Sequence, residues 1–182
     1  MIISEKWLTK NKACSNGIEW FIAQQEKDGV NVVRKLMAEK RLDWANWLIV
    51  RIMSYRQYVA YAIYAAEQVI EIYEKQHPAD TRPRTAIEAV KKYLENPSKK
   101  NRAAVKAAAK AAYAAYAAYA AYAAYAAAKA ADAAIYYAAA KAADAAIYYV
   151  AADAVDAAAY AADAAMKTKI LEYGLGLLKP FL

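Results

Sequence analysis

The residue types that most often carry chemistry are scarce in this chain of 182 residues, which has one cysteine, Cys14, and one histidine, His77. A nucleophilic site would need the Cys14 thiol activated by a base, and His77 is the one imidazole that could serve. His77 stands next to Pro78 in a stretch whose two prolines, Pro78 and Pro83, interrupt any helix. No neighbouring set of carboxylates is placed to orient its ring. The expected roles are a small thiol beside a helix start and a loop histidine, not a Cys–His pair. With one His and one Cys, metal ligation would fall to carboxylates. Asp132, Asp144, Asp156 and Asp163, spaced twelve, twelve and seven residues apart, fall on different sides of a helix. A phosphate-cradling loop is missing too, because the closely spaced Gly174 and Gly176 lie near the end of the sequence with no helix after them. The expectation is a protein without catalytic, cofactor-binding or metal-binding residues, and so not an enzyme.

Charge offers a different chemistry. The chain has 25 Lys and Arg against 18 Asp and Glu, a formal net charge of +7. Residues 82–110 alone hold nine basic residues against Glu88 and Glu95, a local excess equal to that of the whole chain. Such a block attracts nucleic acid, an acidic protein or an acidic surface, unless it is a solvated helix end with its connecting loop. The candidate partner-binding residues are Arg82, Arg84, Lys91, Lys92, Lys99, Lys100 and Arg102. Arg82 and Arg84 flank a proline at a helix start, where arginine opposes the helix dipole. Carboxylates such as Asp43 or Glu88, or a partner, are expected to hold them.

The elements that must position these groups are helices. Four Gly and four Pro in 182 residues leave little room for a turn-rich β architecture. Ile18, Phe21 and Ile22 at i, i+3 and i+4 predict a helix over 18–27, ended by a turn at Asp28-Gly29. Asn31 is the expected cap of a second helix to residue 40, burying Val32, Val33, Leu36 and Met37. Asp43 is the expected cap of a third, with Trp44, Trp47, Leu48 and Arg51 facing inward. Near Ser54 the chain bends or runs on into a longer helix that reaches residue 76. Residues 77–83 form a loop and 84–95 another helix. Ser98 is the expected cap of the long tract after it.

That tract is unusual. Alanine fills 39 of the 64 positions from 103 to 166, without Gly or Pro, so intrinsic helix propensity is close to its maximum. Tyr113, Tyr116, Tyr119, Tyr122 and Tyr125 recur every three residues, echoing Tyr55, Tyr58, Tyr61 and Tyr64. The motif KAADAAIYY at 129–137 recurs at 141–149. A three-residue step turns each tyrosine about 60° behind the last, so five of them form a steep i±3 ridge and not one stripe. As core, these rings supply the volume that alanine lacks. As surface, they could grip a partner or stack bases. One continuous helix would be about 100 Å long, so the tract is expected to break near Lys129 and near Ala151 into packed helices. The alternative is a long helix buried in a homo-oligomer. Gly174 is the expected C-terminal cap, with a docked apolar tail after it. The division is an N-terminal helical bundle, 1–97, with an Ala/Tyr-rich tract, 98–182, packed on it as one all-α multi-helix domain.

A lone cysteine excludes an internal disulfide and fits a reducing compartment. Glu5 precedes any apolar signal region. The longest uncharged stretch, 111–128, contains Ala and Tyr alone, without the Leu, Ile, Phe and Val that drive membrane insertion. A cytoplasmic protein without a membrane span is expected.

The segment 80–97, DTRPRTAIEAVKKYLENP, runs straight into an alanine-rich tract. With ACSNGIEW at 13–20 and the Asp43-Trp44 and Trp47-Leu48 pairs, it resembles the alanine-rich immunity proteins of bacterial and phage genomes. The resemblance spans most of the chain, with Arg82-Pro83-Arg84 and Ala86-Ile87-Glu88-Ala89 its most specific part. The Ala-Ala-Tyr and twelve-residue repeats go beyond it. It implies an all-α fold and neutralisation of a toxin, or of a host defence factor, through a stoichiometric complex with one protein partner. It implies no catalytic residue. The competing expectations are a nucleic-acid-binding protein using residues 82–110 and a self-assembling helical scaffold.

Overall fold

The start of the chain is more ordered than its weak pattern suggests. In a computed structural model, which describes residues 1–119, 125–130 and 164–178, Ser4 caps α1 (Glu5–Lys10) by accepting from the Trp7 N–H at 3.2 Å. α2 (Ser15–Ile22) begins three residues before its expected start and ends five before its expected end. The cause is competition for the backbone. Ile3 N–H donates to Lys27 O and Gly29 N–H to Met1 O, both at 2.8 Å, so residues 27–29 pair with the chain start instead of extending the helix. The resulting isolated bridge, Ile2 with Asp28, stands in place of any strand among the described residues.

Asp28, not Asn31, caps α3 (Gly29–Ala38), its Oδ1 accepting from Val30 N and Asn31 N at 3.0 and 3.2 Å. α4 (Leu42–Ile52) begins one residue before Asp43, which frees that carboxylate from the capping role expected of it. The chain breaks before α5 (Tyr55–Gln76), where Gln57 Oε1 reaches back to accept from Ser54 N at 2.7 Å. α6 (Arg82–Glu95) starts two residues early because Pro83, with φ already helical and no N–H to lose, fits its first turn. Ser98 Oγ accepts from Asn101 N at 3.1 Å and caps α7 (Lys99–Tyr119), as its place before the tract predicts. A helical stretch at 125–130 and α8 (Ala164–Leu177) complete the described elements.

The architecture is an all-α bundle centred on α5. α6 packs on α5, and α7 lies along α6. α8 crosses α5 and α4, and α3 packs on α4. Tyr58, Tyr61, Tyr73 and Tyr93 are buried, and Tyr64 stacks on Tyr173 with centroids 3.9 Å apart. In these places the tyrosines are core. α7 buries Val105 with Ala108, Ala109, Ala112 and Ala115, a face smooth enough for close backbone approach. Tyr113 and Tyr125 meet edge to face at 5.9 Å. In one continuous helix twelve residues would separate them by about 18 Å along the axis. The stretch 125–130 therefore lies beside α7 and does not continue it, and Lys129, near which a break is expected, sits inside that stretch. The side chains of Tyr116, Tyr119 and Tyr122, the repeat beyond residue 130, the break expected near Ala151 and residues 179–182 lie outside the described residues.

Gly174 is not a cap, because α8 runs past it to Leu177. A Cβ at this position would meet Tyr61 Cε2 at 2.6 Å and Ile49 Cδ1 at 2.8 Å, distances that real Cβ atoms do not tolerate. At this glycine α8 lies close against side chains of α4 and α5. The carbonyl of Leu177 then accepts from Gln57 Nε2 at 2.6 Å, and half-buried Leu175, Leu177 and Leu178 seat the described part of the tail. Gly174→Ala is expected to cost about 1–3 kcal/mol by overpacking. Gly176→Ala, with nothing within 4 Å of its Cβ, should be neutral or slightly stabilising. Chemical denaturation of the two variants side by side checks this.

Candidate partner-binding face

The basic segment divides into two sets. In the first set the cations are bound within the fold. Arg84 makes a two-pronged contact with Glu74, Nε to Oε1 at 2.7 Å and Nη2 to Oε2 at 2.6 Å. Lys91 Nζ lies 2.6 Å from Glu67 Oε1 and 3.1 Å from Glu88 Oε1. Glu67 and Glu74 are two turns apart on α5, as Arg84 and Lys91 are on α6, so the pairs form two rungs between antiparallel helices. Arg82 Nε donates to Asp80 Oδ1 at 2.8 Å. The same carboxylate accepts from the Arg82 backbone N–H at 3.1 Å and, at 2.6 Å, from the hydroxyl of buried Tyr73. The holders of Arg82 and Arg84 are thus Asp80 and Glu74, not the expected Asp43 or Glu88. Asp43 instead pairs with buried Lys167 of α8.

Each contact shifts a proton equilibrium in the direction its geometry demands. The Arg82 guanidinium, helped by the Tyr73 hydroxyl, holds Asp80 far below the usual carboxylate range against the opposing effect of burial. Arg84 likewise lowers Glu74, and Glu67, followed by Glu88, raises Lys91.

In the second set the lysines face solvent. Lys92, Lys99 and Lys100 are exposed, as are Lys106 and Lys110 further along α7, and none makes an ion pair with a described residue. Arg102 is half-buried and stands apart from them. At 100° per residue, Lys99, Lys106 and Lys110 lie within about 40° of one line and span about 16 Å along α7. Ala103, Ala104, Ala107 and Ala114 are the other exposed residues of α7 whose side chains are described, so the ammonium groups stand on a low, smooth surface. Lys99 and Lys100 also occupy the first turn of α7, where positive charge opposes the macrodipole and gains the fold nothing. Such a face can hold several anionic groups at once.

The remaining chemical candidates are dispersed. Cys14 is exposed at the start of α2, and His77 packs against the Tyr73 ring with centroids 4.8 Å apart. Among the described residues no three His, Cys, Asp or Glu side chains gather as a metal site. Asp132, Asp144, Asp156 and Asp163 lie outside those residues. Among the described helices none is long and apolar enough to cross a membrane. Comparison with protein-family models, with curated proteins and with solved structures finds no match.

Asp80→Asn is expected to lose about 1–2 kcal/mol at pH 7, a modest value because Arg82 is partly solvated. Asp80 is lowered in the folded state. Its contribution is therefore complete above the unfolded carboxylate value near 4 and drains away as pH falls below it. Denaturation midpoints measured from pH 7 down to pH 2 should converge for the two proteins, with the variant showing the shallower decline.

Proposed function

We propose that this chain is a stoichiometric protein-binding inhibitor, of the toxin-neutralising or defence-blocking kind, that grips an acidic partner with the lysine face of α7. One observation carries the reading. Lys92, Lys99, Lys100, Lys106 and Lys110 remain exposed without a described carboxylate, in a fold that neutralises Arg82, Arg84 and Lys91. One feature favours an acidic protein over nucleic acid: the described exposed cations of this face are lysines, without an arginine for forked recognition of phosphate or guanine. The resemblance to alanine-rich immunity proteins supports the same class of function, and the reading needs no catalytic residue or cofactor.

The test separates binding from folding. Lys99→Glu with Lys100→Glu places favourable charge at the α7 N-terminus and is expected to raise stability by about 0.3–1 kcal/mol per site at low salt. The same variant should lose its partner in a pull-down from bacterial lysate read by mass spectrometry. Capture of one acidic protein by the parent chain and not by the stabilised variant supports the proposal. Retention of nucleic acid with a steep salt dependence would replace it with the nucleic-acid reading.

A further inference from the structure

Away from the lysine face, residues of the first four helices and the chain start enclose a pocket of about 390 Å³. Its volume is in the range of small-molecule sites. The walls include Trp20, Phe21, Leu36, Trp44 and Trp47, a mostly aromatic surface that the fold leaves partly open. These walls are held in place by one another and by neighbouring side chains. Trp20 meets Trp44 edge to face at 6.4 Å, and Trp7 meets Trp47 in the same way. The guanidinium of Arg51 lies 4.0 Å from the Trp47 ring centre and that of Arg41 lies 4.7 Å from Trp44. Trp20 Nε1 donates to Glu39 at 2.7 Å. The pocket is therefore preformed, and a ligand need not meet the entropic cost of ordering it.

Polar groups at the pocket decide what it accepts. Asp43 lines it, but its carboxylate is matched by Lys167. Lys12 also lines it and makes no ion pair with a described residue. An ammonium group only donates. The charge left unpaired on the lining is therefore positive, beside an apolar interior. We propose that this pocket binds a small apolar carboxylate, its aryl or alkyl body between the indoles and its carboxylate on Lys12.

Lys12 also supplies a clean test. It sits at φ 60, in the left-handed region, where it closes the end of α1 through Lys12 N to Thr9 O and Ala13 N to Leu8 O, both 3.0 Å. Glycine is the natural residue for that conformation, so Lys12→Gly removes the charge while making the fold more stable. All four tryptophans, Trp7, Trp20, Trp44 and Trp47, belong to this cluster. The full chain is titrated with 4-phenylbutyrate and decanoate, and with the matching amines, while tryptophan fluorescence and heat are recorded. Each carboxylate is expected to bind saturably at one equivalent, to displace the other, and to bind at least tenfold more tightly than its amine. Lys12→Gly should melt higher yet bind the carboxylates roughly tenfold more weakly. Occupancy should also slow alkylation of Cys14, the one thiol, which lines the pocket. No saturable binding, equal affinity for amine and carboxylate, or unchanged affinity in Lys12→Gly would each overturn the proposal.

Discussion

The seam between α5 and α6 holds two kinds of interaction of unequal size. α6 buries Ile87 and Val90 completely and Tyr93 almost so, each side chain contributing about 1.5–3 kcal/mol by leaving water. The Glu74–Arg84 and Glu67–Lys91 pairs are about one-third exposed and contribute about 1 kcal/mol or less each. Burial supplies the adhesion. The ion pairs set the register, because sliding α6 by one turn would carry both cations away from both glutamates. α7 inherits this register, since it is joined to α6 by three residues and packs along it.

An alanine helix has almost no steric signature to say which side should face inward. α7 buries one large described side chain, Val105, among alanines of nearly identical shape. What orients it is the cost of burying an ammonium group. Lys99, Lys106 and Lys110 lie on one line, and that line must face water. The same residues that choose the inward face by exclusion are thus the residues left available to a partner. Folding and the proposed binding draw on one pattern of charge, and the division of cations reflects it. Those on α6 with glutamates opposite are consumed, while those on α7 with alanine around them are not.

Much of this was legible in the chain. Helix-period apolar spacing located α3 to α6 to within two or three residues, and Pro83 and Ser98 announced the starts of α6 and α7. The shortened α2 was hidden because the competing hydrogen bonds come from Met1 and Ile3, which nothing in the local pattern singles out. Gly174 read as a helix end because a glycine that makes room for a distant ring looks the same in sequence as one that terminates a helix. For the candidate site, the cluster of cations was visible but its division was not. The signal was available in the matching seven-residue spacings of Glu67 and Glu74 and of Arg84 and Lys91, which become partners only once α5 and α6 are known to be antiparallel. Beyond Lys110 no lysine recurs until Lys129, so the orienting charge is absent there and alanine spacing alone could not show that 125–130 lies beside α7.

The central claim, that the basic segment is divided between structural and solvent-facing cations, is tested most directly by the reactivity of each lysine in the native chain. Brief acetylation and peptide mass spectrometry, compared with the same reaction in denaturant, give a protection factor for every site. The account predicts that Lys92, Lys99, Lys100, Lys106 and Lys110 react nearly as fast folded as unfolded, while Lys91 and Lys167 are slowed several-fold by their carboxylate partners and burial. Uniform reactivity across residues 91–110, or protection of Lys99, Lys106 and Lys110 equal to that of Lys91, would contradict it.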